Sequence, residues 1–369
     1  MSPFATSEST TKYAARFAGR AAEGHFRAQQ GLWLSSLGIG TYLGEPDART
    51  DQAYTDAIVA AVEAGTNVID SAINYRFQRS ERSVGAALEE LARRSYTREE
   101  LVICTKGGFL TPDGEMPADA SEYFNREYVV TGILREGDVA AGCHSMAPRF
   151  IADQIERSRR NLGVETIDVY YLHNPETQLG EVPREMFNSR VRAAFEFLES
   201  AVAAGKIHFY GMATWNAFRQ GENEQDFLSL AAMESLARDV AGASHHFRFV
   251  QLPCNLGMTE ALTRSNQPLD GRRVPVVEAA NKLGITLVAS AAMLQGKLSR
   301  GLPPFVATAL GLQNDAQRAL QFVRSTPGIT TALVGMSRVE HVRANLCLAA
   351  ISPASQDEFS RLFERGKKA

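Results

Sequence analysis

Four residues that can move protons lie at or just after the ends of short apolar runs in the sequence. They are Asp70, Tyr75, Lys106 and His173. The ordinary pKa of a tyrosine phenol is near 10, so releasing its proton near pH 7 requires roughly 4 kcal/mol of phenolate stabilisation. A nearby lysine ammonium supplies such stabilisation, an aspartate can hold that lysine, and a histidine can donate a hydrogen bond to a substrate oxygen. The four residue types together indicate acid–base chemistry centred on Tyr75.

Each of these residues alone has an ordinary structural explanation. An aspartate after a strand is often a helix cap. A single tyrosine usually packs in the core, a single lysine is usually solvated, and a single histidine is usually a structural residue with satisfied hydrogen bonds. The hypothesis therefore depends on the four side chains meeting at one place, which is a prediction about the fold.

Short apolar runs alternate with helical patterns along most of the chain. The predicted strands are Leu37–Gly40, Asn67–Asp70, Leu101–Thr105, Ile167–Leu172, Lys206–Tyr210, Phe249–Leu252, Ile285–Val288 and Thr331–Val334. Eight strand–helix units predict an α/β fold, a closed (β/α)8 TIM barrel in a single domain. The rival, an open doubly wound sheet, usually carries a GxGxxG turn after its first strand, and none follows here. Active sites of such barrels lie at the carboxyl ends of the strands, so we expect the four side chains to converge there.

The barrel domain is predicted to span residues 31–352. An N-terminal surface arm is expected at residues 1–30 and a C-terminal tail at residues 353–369. A segment of about 40 residues, Gly107 to Ala147, interrupts the strand–helix rhythm after the third strand. Loops of that length are usually functional lids or disordered segments. Its place after a strand end puts it on the face where the site is expected.

Composition limits the classes of partner. The formal net charge of −3 gives no reason to expect nucleic acid or an anionic membrane as a partner, and no run of 18 apolar residues indicates a membrane span. Four scattered cysteines suit a reducing compartment, so a cytoplasmic location is expected. No HxH pair follows the first strand and no clustered ligand set is visible, which disfavours a metal-dependent hydrolase. The sequence does not indicate an oligomeric state.

The sequence resembles the aldo-keto reductase family in an ordered series of motifs from about Leu32 to about Ala350. The matching runs are Gly38–Thr41, Val68–Tyr75, Ser80–Glu81 with Gly85, Cys104–Lys106, Asp168–Pro175, and Gly335–Arg338 with Asn345. The resemblance implies hydride transfer between a nicotinamide cofactor and a carbonyl or alcohol substrate. It also implies that Tyr75 is the general acid in reduction and the general base in oxidation, supported by Asp70, Lys106 and His173.

The same resemblance implies a set of cofactor-binding positions. Asp70 belongs to it as well as to the catalytic set, and the others are Gly40, Thr41, Asn216, Gln251, Ser290, Gln295, Gly296, Leu298, Gly335, Ser337, Arg338 and Asn345. The loop before the last helix is an anion site by geometry, and Arg338 there can clamp a 2′-phosphate. NADP(H) is therefore the expected cofactor, with NAD as the alternative.

Several positions depart from the family pattern. Ala213-Thr214 replace a common Ser-Asn pair, so Asn216 is a candidate to take over a carboxamide contact; Ser290 replaces an aromatic residue. Ala344 replaces an acid at the adenine end. Arg76 follows Tyr75 where glycine is common. With Phe77 it either shapes the pocket or contacts an acidic substrate; the alternative is that both face the long loop. The alternative function is a nucleotide-binding regulatory or interaction protein on the same fold, with little turnover.

Overall fold

A computed structural model describes residues 2–364 of the chain. The strands in this range are β1 (Phe26–Gln29), β2 (Leu32–Ser35), β3 (Leu37–Gly40), β4 (Val68–Asp70), β5 (Val102–Gly107), β6 (Val139–Ala140), β7 (His144–Ser145), β8 (Ile167–His173), β9 (Ile207–Ala213), β10 (Phe247–Pro253), β11 (Gln267–Leu269), β12 (Arg272–Val274), β13 (Thr286–Ser290) and β14 (Ile329–Gly335).

The α-helices in the same range run between and around these strands. They are α1 (Ser7–Ala15), α2 (Ala48–Glu63), α3 (Arg79–Arg93), α4 (Ala120–Phe124), α5 (Pro148–Leu162), α6 (Arg184–Ala203), α7 (Leu230–Ala241), α8 (Glu260–Thr263), α9 (Val276–Leu283), α10 (Pro304–Leu310), α11 (Asp315–Ser325), α12 (Val339–Leu346) and α13 (Gln356–Ser360). None of them has the length and apolar composition that crossing a membrane requires.

Eight of the strands form a closed parallel barrel, which confirms the predicted fold. The order around the barrel is β3, β4, β5, β8, β9, β10, β13, β14, and β14 pairs with β3 to close it. Each of the eight predicted strands overlaps one of these. Helices such as α5 cover the outside: it begins at Pro148, buries Ile151, Ile155 and Leu162, and ends at Gly163 in a left-handed conformation, as the sequence pattern predicts.

The N-terminal segment differs from the expected surface arm. Helix α1 packs on the barrel through Tyr13, which is fully buried and donates a hydrogen bond of 2.6 Å to the Val62 carbonyl. The buried Ala5 amide donates to the Asp168 carboxylate at 2.7 Å. Strands β1 and β2 form an antiparallel hairpin. The boundary proposed at residue 30 therefore cuts through a hairpin, because apolar contacts with the barrel override the polar composition of this segment.

The C-terminal tail is also packed where it is described. Phe359 in α13 is buried and stacks on Phe322 of α11 with ring centroids 5.4 Å apart. The last five positions of the predicted tail, 365–369, and residue 1 of the predicted arm lie outside the described residues.

The long segment after β5 is folded over its own small core. It contains α4, β6 and β7, and its apolar side chains Tyr128 and Leu134 pack against Phe150 of α5. The Tyr128 hydroxyl donates to the Thr111 carbonyl at 3.0 Å. The insertion is thus a folded segment with its own core at the carboxyl ends of the barrel strands. Its contacts with the site are described below.

Candidate active site

The barrel brings the four predicted acid–base residues together at the carboxyl ends of β4, β5 and β8. Asp70 ends β4, Lys106 lies next to the end of β5, and His173 ends β8. Tyr75 lies in the loop after β4, where its amide donates to the Ala72 carbonyl at 3.0 Å and closes a turn. Parallel strands in one barrel place these ends side by side, which is why residues 103 positions apart in the sequence meet.

Lys106 is at the centre of the group and is almost completely buried. Its Nζ donates to Asp70 Oδ1 at 2.5 Å, to the Ser71 carbonyl at 2.7 Å and to the Tyr75 hydroxyl oxygen at 3.3 Å. An ammonium has three donors, so these contacts use all of them. Because the Tyr75 oxygen accepts a hydrogen bond from Lys106, the phenol proton of Tyr75 is directed away from the lysine and is available to another acceptor.

The protonation states follow from burial and from these charges. Burial is the largest single effect on Lys106 and acts to lower its pKa, but Asp70 and Tyr75 together outweigh it, and the pKa lies above its ordinary value. Burial raises the pKa of Tyr75, and the Lys106 ammonium opposes this shift without cancelling it. Burial and the Lys106 charge hold the pKa of His173 well below its ordinary value. Near pH 7 the site therefore holds a charged lysine, a neutral phenol and a neutral imidazole.

A cavity of about 670 Å³ opens above these residues at the mouth of the barrel. Asp70, Tyr75 and His173 line it, with Phe109 and Trp215 on its walls. The Tyr75 and His173 rings are 5.8 Å apart at 76°, and Phe109 meets His173 edge-on at 5.2 Å. A volume of this size is within the range of small-molecule sites.

Most of the predicted cofactor positions near the barrel axis line this cavity. They are Gly40, Thr41, Asp70, Gln251, Ser290, Gln295, Gly296 and Gly335. A Cβ at Gly40 or Gly335 would have no neighbour closer than 3.9 Å, so both glycines leave open space where a ligand can approach the backbone. Buried polar atoms of Asn74, Thr214 and His173 at the cavity wall have no partner in the described part of the chain. These features fit the nicotinamide end of a dinucleotide.

The remaining predicted positions lie away from the cavity lining. Leu298, Ser337, Arg338 and Asn345 are outside it. Arg338 is exposed at the N-terminal cap of α12, and the buried Asn345 amide points to Met336 Sδ at 3.5 Å. The adenosine end of the expected cofactor would therefore lie beyond the cavity, along the loop that leads into α12.

Asn216 does not take the expected place at the nicotinamide end. Its side-chain amide donates to Asp226 Oδ2 at 2.9 Å, and it does not line the cavity, whereas the neighbouring Thr214 and Trp215 do. The hydrogen bond to a nearby carboxylate holds Asn216 outside, and the carboxamide contact inferred for it has no support in the structure.

Arg76 and Phe77 also do not form the pocket. Arg76 is buried beside α3, where its guanidinium forms an ion pair of 2.7 Å with Asp51 and donates to Ser80 and Ser83. Neither residue lines the cavity. Arg76 is thus a structural residue that connects the loop carrying Tyr75 to α2 and α3.

Sequence reasoning missed several residues of the site. Tyr42 and Asn74 line the cavity, and Tyr42 packs on Tyr75 with ring centroids 5.0 Å apart. Both could have been found, because Tyr42 is the second residue after the β3 end and Asn74 precedes Tyr75. The exposed Lys297 also lines the cavity and adds a positive charge near its rim.

The insertion contributes a histidine that no motif in the sequence indicated. His144 Nε2 donates to the His173 carbonyl at 2.8 Å, and the Gln178 amide donates to His144 Nδ1 at 3.1 Å. The Arg190 guanidinium in turn donates to Gln178 Oε1 at 2.6 Å. This chain of hydrogen bonds fixes the backbone at His173, and the ring of His144 also packs on Phe109 at 5.0 Å.

Comparison with known proteins agrees with the geometry. The family model described as "Aldo/keto reductase family" matches residues 36–232. The chain is 29% identical over 190 residues to a D-threo-aldose 1-dehydrogenase of a Pseudomonas species, covering 51% of this chain and 52% of that protein. It is 31% identical over 191 residues to the NADH-specific methylglyoxal reductase of Escherichia coli K12, covering 50% of each. The chain thus spans about half the length of the curated relatives it matches.

Solved structures match over nearly the whole chain but at low identity. An aldo/keto reductase from Klebsiella pneumoniae in complex with NADP and acetate has a TM-score of 0.61 at 20% identity, covering 93% of this chain and 96% of that one. The glycerol dehydrogenase from Gluconobacter oxydans has a TM-score of 0.64 at 19% identity, covering 93% and 95%. These structures share the barrel fold, and the family model covers more than half of the sequence. The chain belongs to the aldo/keto reductase family.

Proposed function

We propose that this protein is an NAD(P)H-dependent oxidoreductase that interconverts aldehydes or ketones with the corresponding alcohols. The observation that supports this most is the contact of 3.3 Å between Lys106 Nζ and the Tyr75 hydroxyl at the wall of the mouth cavity, with Asp70 holding the lysine. It provides a proton donor beside a space large enough for a small carbonyl compound. Family membership supports the same class of reaction.

The proposed roles follow from the protonation states. Tyr75, a neutral phenol near pH 7, donates its proton to the carbonyl oxygen during reduction, and Lys106 stabilises the phenolate that remains. Neutral His173 is proposed to donate a hydrogen bond to the same substrate oxygen. Asp70 positions Lys106 and keeps it charged. A reduced nicotinamide bound at the cavity would supply the hydride.

We propose that the nicotinamide end is held by the residues that line the cavity, with Gln251 as the main amide partner. Gln251 Nε2 already donates to Asp70 Oδ2 at 2.9 Å, which leaves its Oε1 as an acceptor for a carboxamide. Arg338 and Ser337 at the start of α12 are proposed to bind the phosphate of NADPH. Relatives include an NADH-specific enzyme and a structure holding NADP, so the preference needs measurement.

The test is to measure binding and turnover separately. We expect NADPH to bind to the full chain with quenching of protein fluorescence, and NADPH oxidation to follow when a panel of aldehydes and ketones is added. The substrates should include aromatic ones, because Tyr42, Phe109 and Trp215 line the cavity. Tight binding without turnover on every substrate and with both cofactors would contradict the proposal and favour a regulatory nucleotide-binding protein.

A further inference from the structure

A second cavity, of about 550 Å³, lies at the opposite end of the barrel from the catalytic mouth. It is formed where Gly284 and Ile285 lead into β13 and where Gly328 leads into β14, at the amino ends of these strands. It shares no lining residue with the mouth cavity. Its polar wall includes Arg27, Gln29, Asn281, Arg324, Ser325 and Thr330, and no aspartate or glutamate lines it.

Arg324, in the last turn of α11, is a fully buried cation without an anionic partner. One of its amino groups donates to the Leu348 carbonyl. Its Nε and Nη2 atoms are buried and have no hydrogen-bond partner in residues 2–364, and no carboxylate in this range forms an ion pair with it. A buried guanidinium that lacks a counter-ion destabilises the folded state, and an anion bound beside it would relieve that cost.

Arg27 lies beside Arg324 and is partly exposed to the cavity. Its Nε donates to the Gly24 carbonyl at 3.1 Å, one amino group donates to the Ile329 and Thr330 carbonyls at 2.6 and 3.1 Å, and the other donates to the Arg324 carbonyl at 2.5 Å. One of its five N–H donors, on Nη2, is left over. These neutral acceptors fix the direction of the guanidinium but leave its charge uncompensated, and no described carboxylate is within ion-pair distance of it. Burial lowers the pKa of Arg27 to about 10 and that of Arg324 to about 9, with no opposing negative charge.

We propose that this cavity is a second binding site, for a small molecule that carries a phosphate or carboxylate group. Guanidinium groups bind these oxyanions in preference to other ligands, and a volume of about 550 Å³ leaves room for an organic body beyond the oxyanion. Arg27 makes the direct contact from the cavity wall through the one Nη2 hydrogen that has no backbone acceptor. Arg324, buried in the same wall, adds its positive potential in a medium of low dielectric constant. The site is independent of the function proposed for the mouth.

The test is thermal unfolding of the full chain against increasing inorganic phosphate and, in parallel, succinate, at ionic strength matched with chloride. A ligand that binds the folded state raises Tm in a saturable way. We expect such a rise for at least one of the two anions. Asn281→Asp places a carboxylate at the exposed cavity wall. It should weaken anion binding and so raise the half-saturating anion concentration at least 10-fold. Ser189→Asp, with the same charge change on the exposed face of α6, should leave it unchanged.

The cofactor end of the mouth also attracts phosphate under the function proposed above, so Arg338→Ala serves as a second control. The site at the barrel base is supported when the rise in Tm is unchanged in Arg338→Ala and requires at least 10-fold more anion in Asn281→Asp. A rise that is lost in Arg338→Ala and retained in Asn281→Asp would assign the anion to the mouth and overturn the proposal. No saturable rise with either anion would overturn it as well.

Discussion

Lys106 donates to three oxygen atoms, and this arrangement determines which way the Tyr75 proton can go. The phenol oxygen accepts from the ammonium at 3.3 Å, so the phenol proton is free for an acceptor in the cavity. Burial keeps the phenol protonated near pH 7, which is the form that reduction of a carbonyl needs. Under the proposed function, this residue set favours reduction, and oxidation requires a phenolate that forms at higher pH.

The direction of the Tyr75 shift leads to a prediction about pH. The acid form is active in reduction, so we expect kcat for reduction to stay nearly constant from about pH 6 to about pH 9 and to fall only as the phenol ionises. The rate of alcohol oxidation should rise with pH through the same range. Steady-state profiles in both directions test this. A reduction rate that falls tenfold between pH 7 and pH 8 would conflict with a raised pKa of Tyr75.

At the scale of elements, the insertion after β5 is a support for the site rather than a loose lid. It positions His144, whose imidazole donates to the His173 carbonyl at 2.8 Å. The adjoining Gly108 has no room for a side chain, because a Cβ there would lie 2.7 Å from His144 Nε2. The insertion and β8 are thus packed closely at the point where the His173 side chain enters the mouth cavity.

We predict that His144→Ala lowers kcat about 10- to 100-fold by releasing the backbone at His173, since small displacements of reacting groups have effects of that size. The dissociation constant of the cofactor should change little. His144→Gln keeps a donor for the His173 carbonyl and should recover a large part of the rate. Val130→Ser, on the exposed surface of the insertion, is the control and should behave as wild type. Equal losses in the Ala and Gln variants would argue against this positioning role.

We predict that Arg338 at the N-terminus of α12 determines the preference for NADPH over NADH. Arg338 caps this helix from an exposed position, where it can bind the 2′-phosphate of NADPH. Arg338→Ala should raise the dissociation constant of NADPH roughly 10-fold, in line with a lost charge-assisted hydrogen bond, and leave that of NADH nearly unchanged. Arg343→Ala on the same helix is the matched control. Equal weakening of both cofactors by Arg338→Ala would remove the basis for a preference for NADPH.

At the scale of the whole molecule, buried neutral histidines predict loss of stability in acid. Burial lowers the pKa of His25 and of His144 to about 4. The unfolded chain binds these protons from about pH 6.5 downward while the folded chain does not, so the free energy of unfolding should fall as pH drops from 6.5 to 4. Each histidine accounts for on the order of 2–3 kcal/mol across this range. The dependence can be measured by urea unfolding at several pH values.

The matched variant for this measurement is His25→Gln, which keeps polar contacts to Ser36 and the Gly65 carbonyl within reach. Its free energy of unfolding should depend less steeply on pH between 6.5 and 4 than that of the wild type. Identical slopes in the two proteins would show that His25 binds its proton over the same pH range in the folded and unfolded states, which would contradict the lowered pKa.

The sequence predicts most of the fold because strand and helix periods repeat eight times with glycines and prolines at the element ends. It predicts the convergence of Asp70, Tyr75, Lys106 and His173 for the same reason, since strand ends in a barrel share one face. The predicted fifth strand ends at Tyr210, since glycine is ordinarily unfavourable inside a strand, whereas β9 continues through Gly211 to Ala213. In the structure a Cβ at Gly211 would lie 1.9 Å from the Phe249 carbonyl oxygen, so close packing of β9 and β10 requires glycine there.

The sequence does not reveal contacts between residues that are separated along the chain. His144 reaches His173 across 29 positions, and Asn216 is drawn to Asp226 instead of the cavity. The packed N-terminal segment depends on buried contacts such as the Ala5 amide on Asp168, 163 positions away. Each of these needs the closed barrel before it can form, and none leaves a local pattern.

The central claim is that Tyr75 delivers the proton when a carbonyl is reduced at the barrel mouth. The direct measurement is the single-turnover rate of NADPH oxidation by wild type and Tyr75→Phe, with the dissociation constant of NADPH measured for both. Loss of a positioned general acid should lower the rate about 10²- to 10⁴-fold, while cofactor affinity changes less than about twofold. A Tyr75→Phe variant that turns over at the wild-type rate would contradict the account.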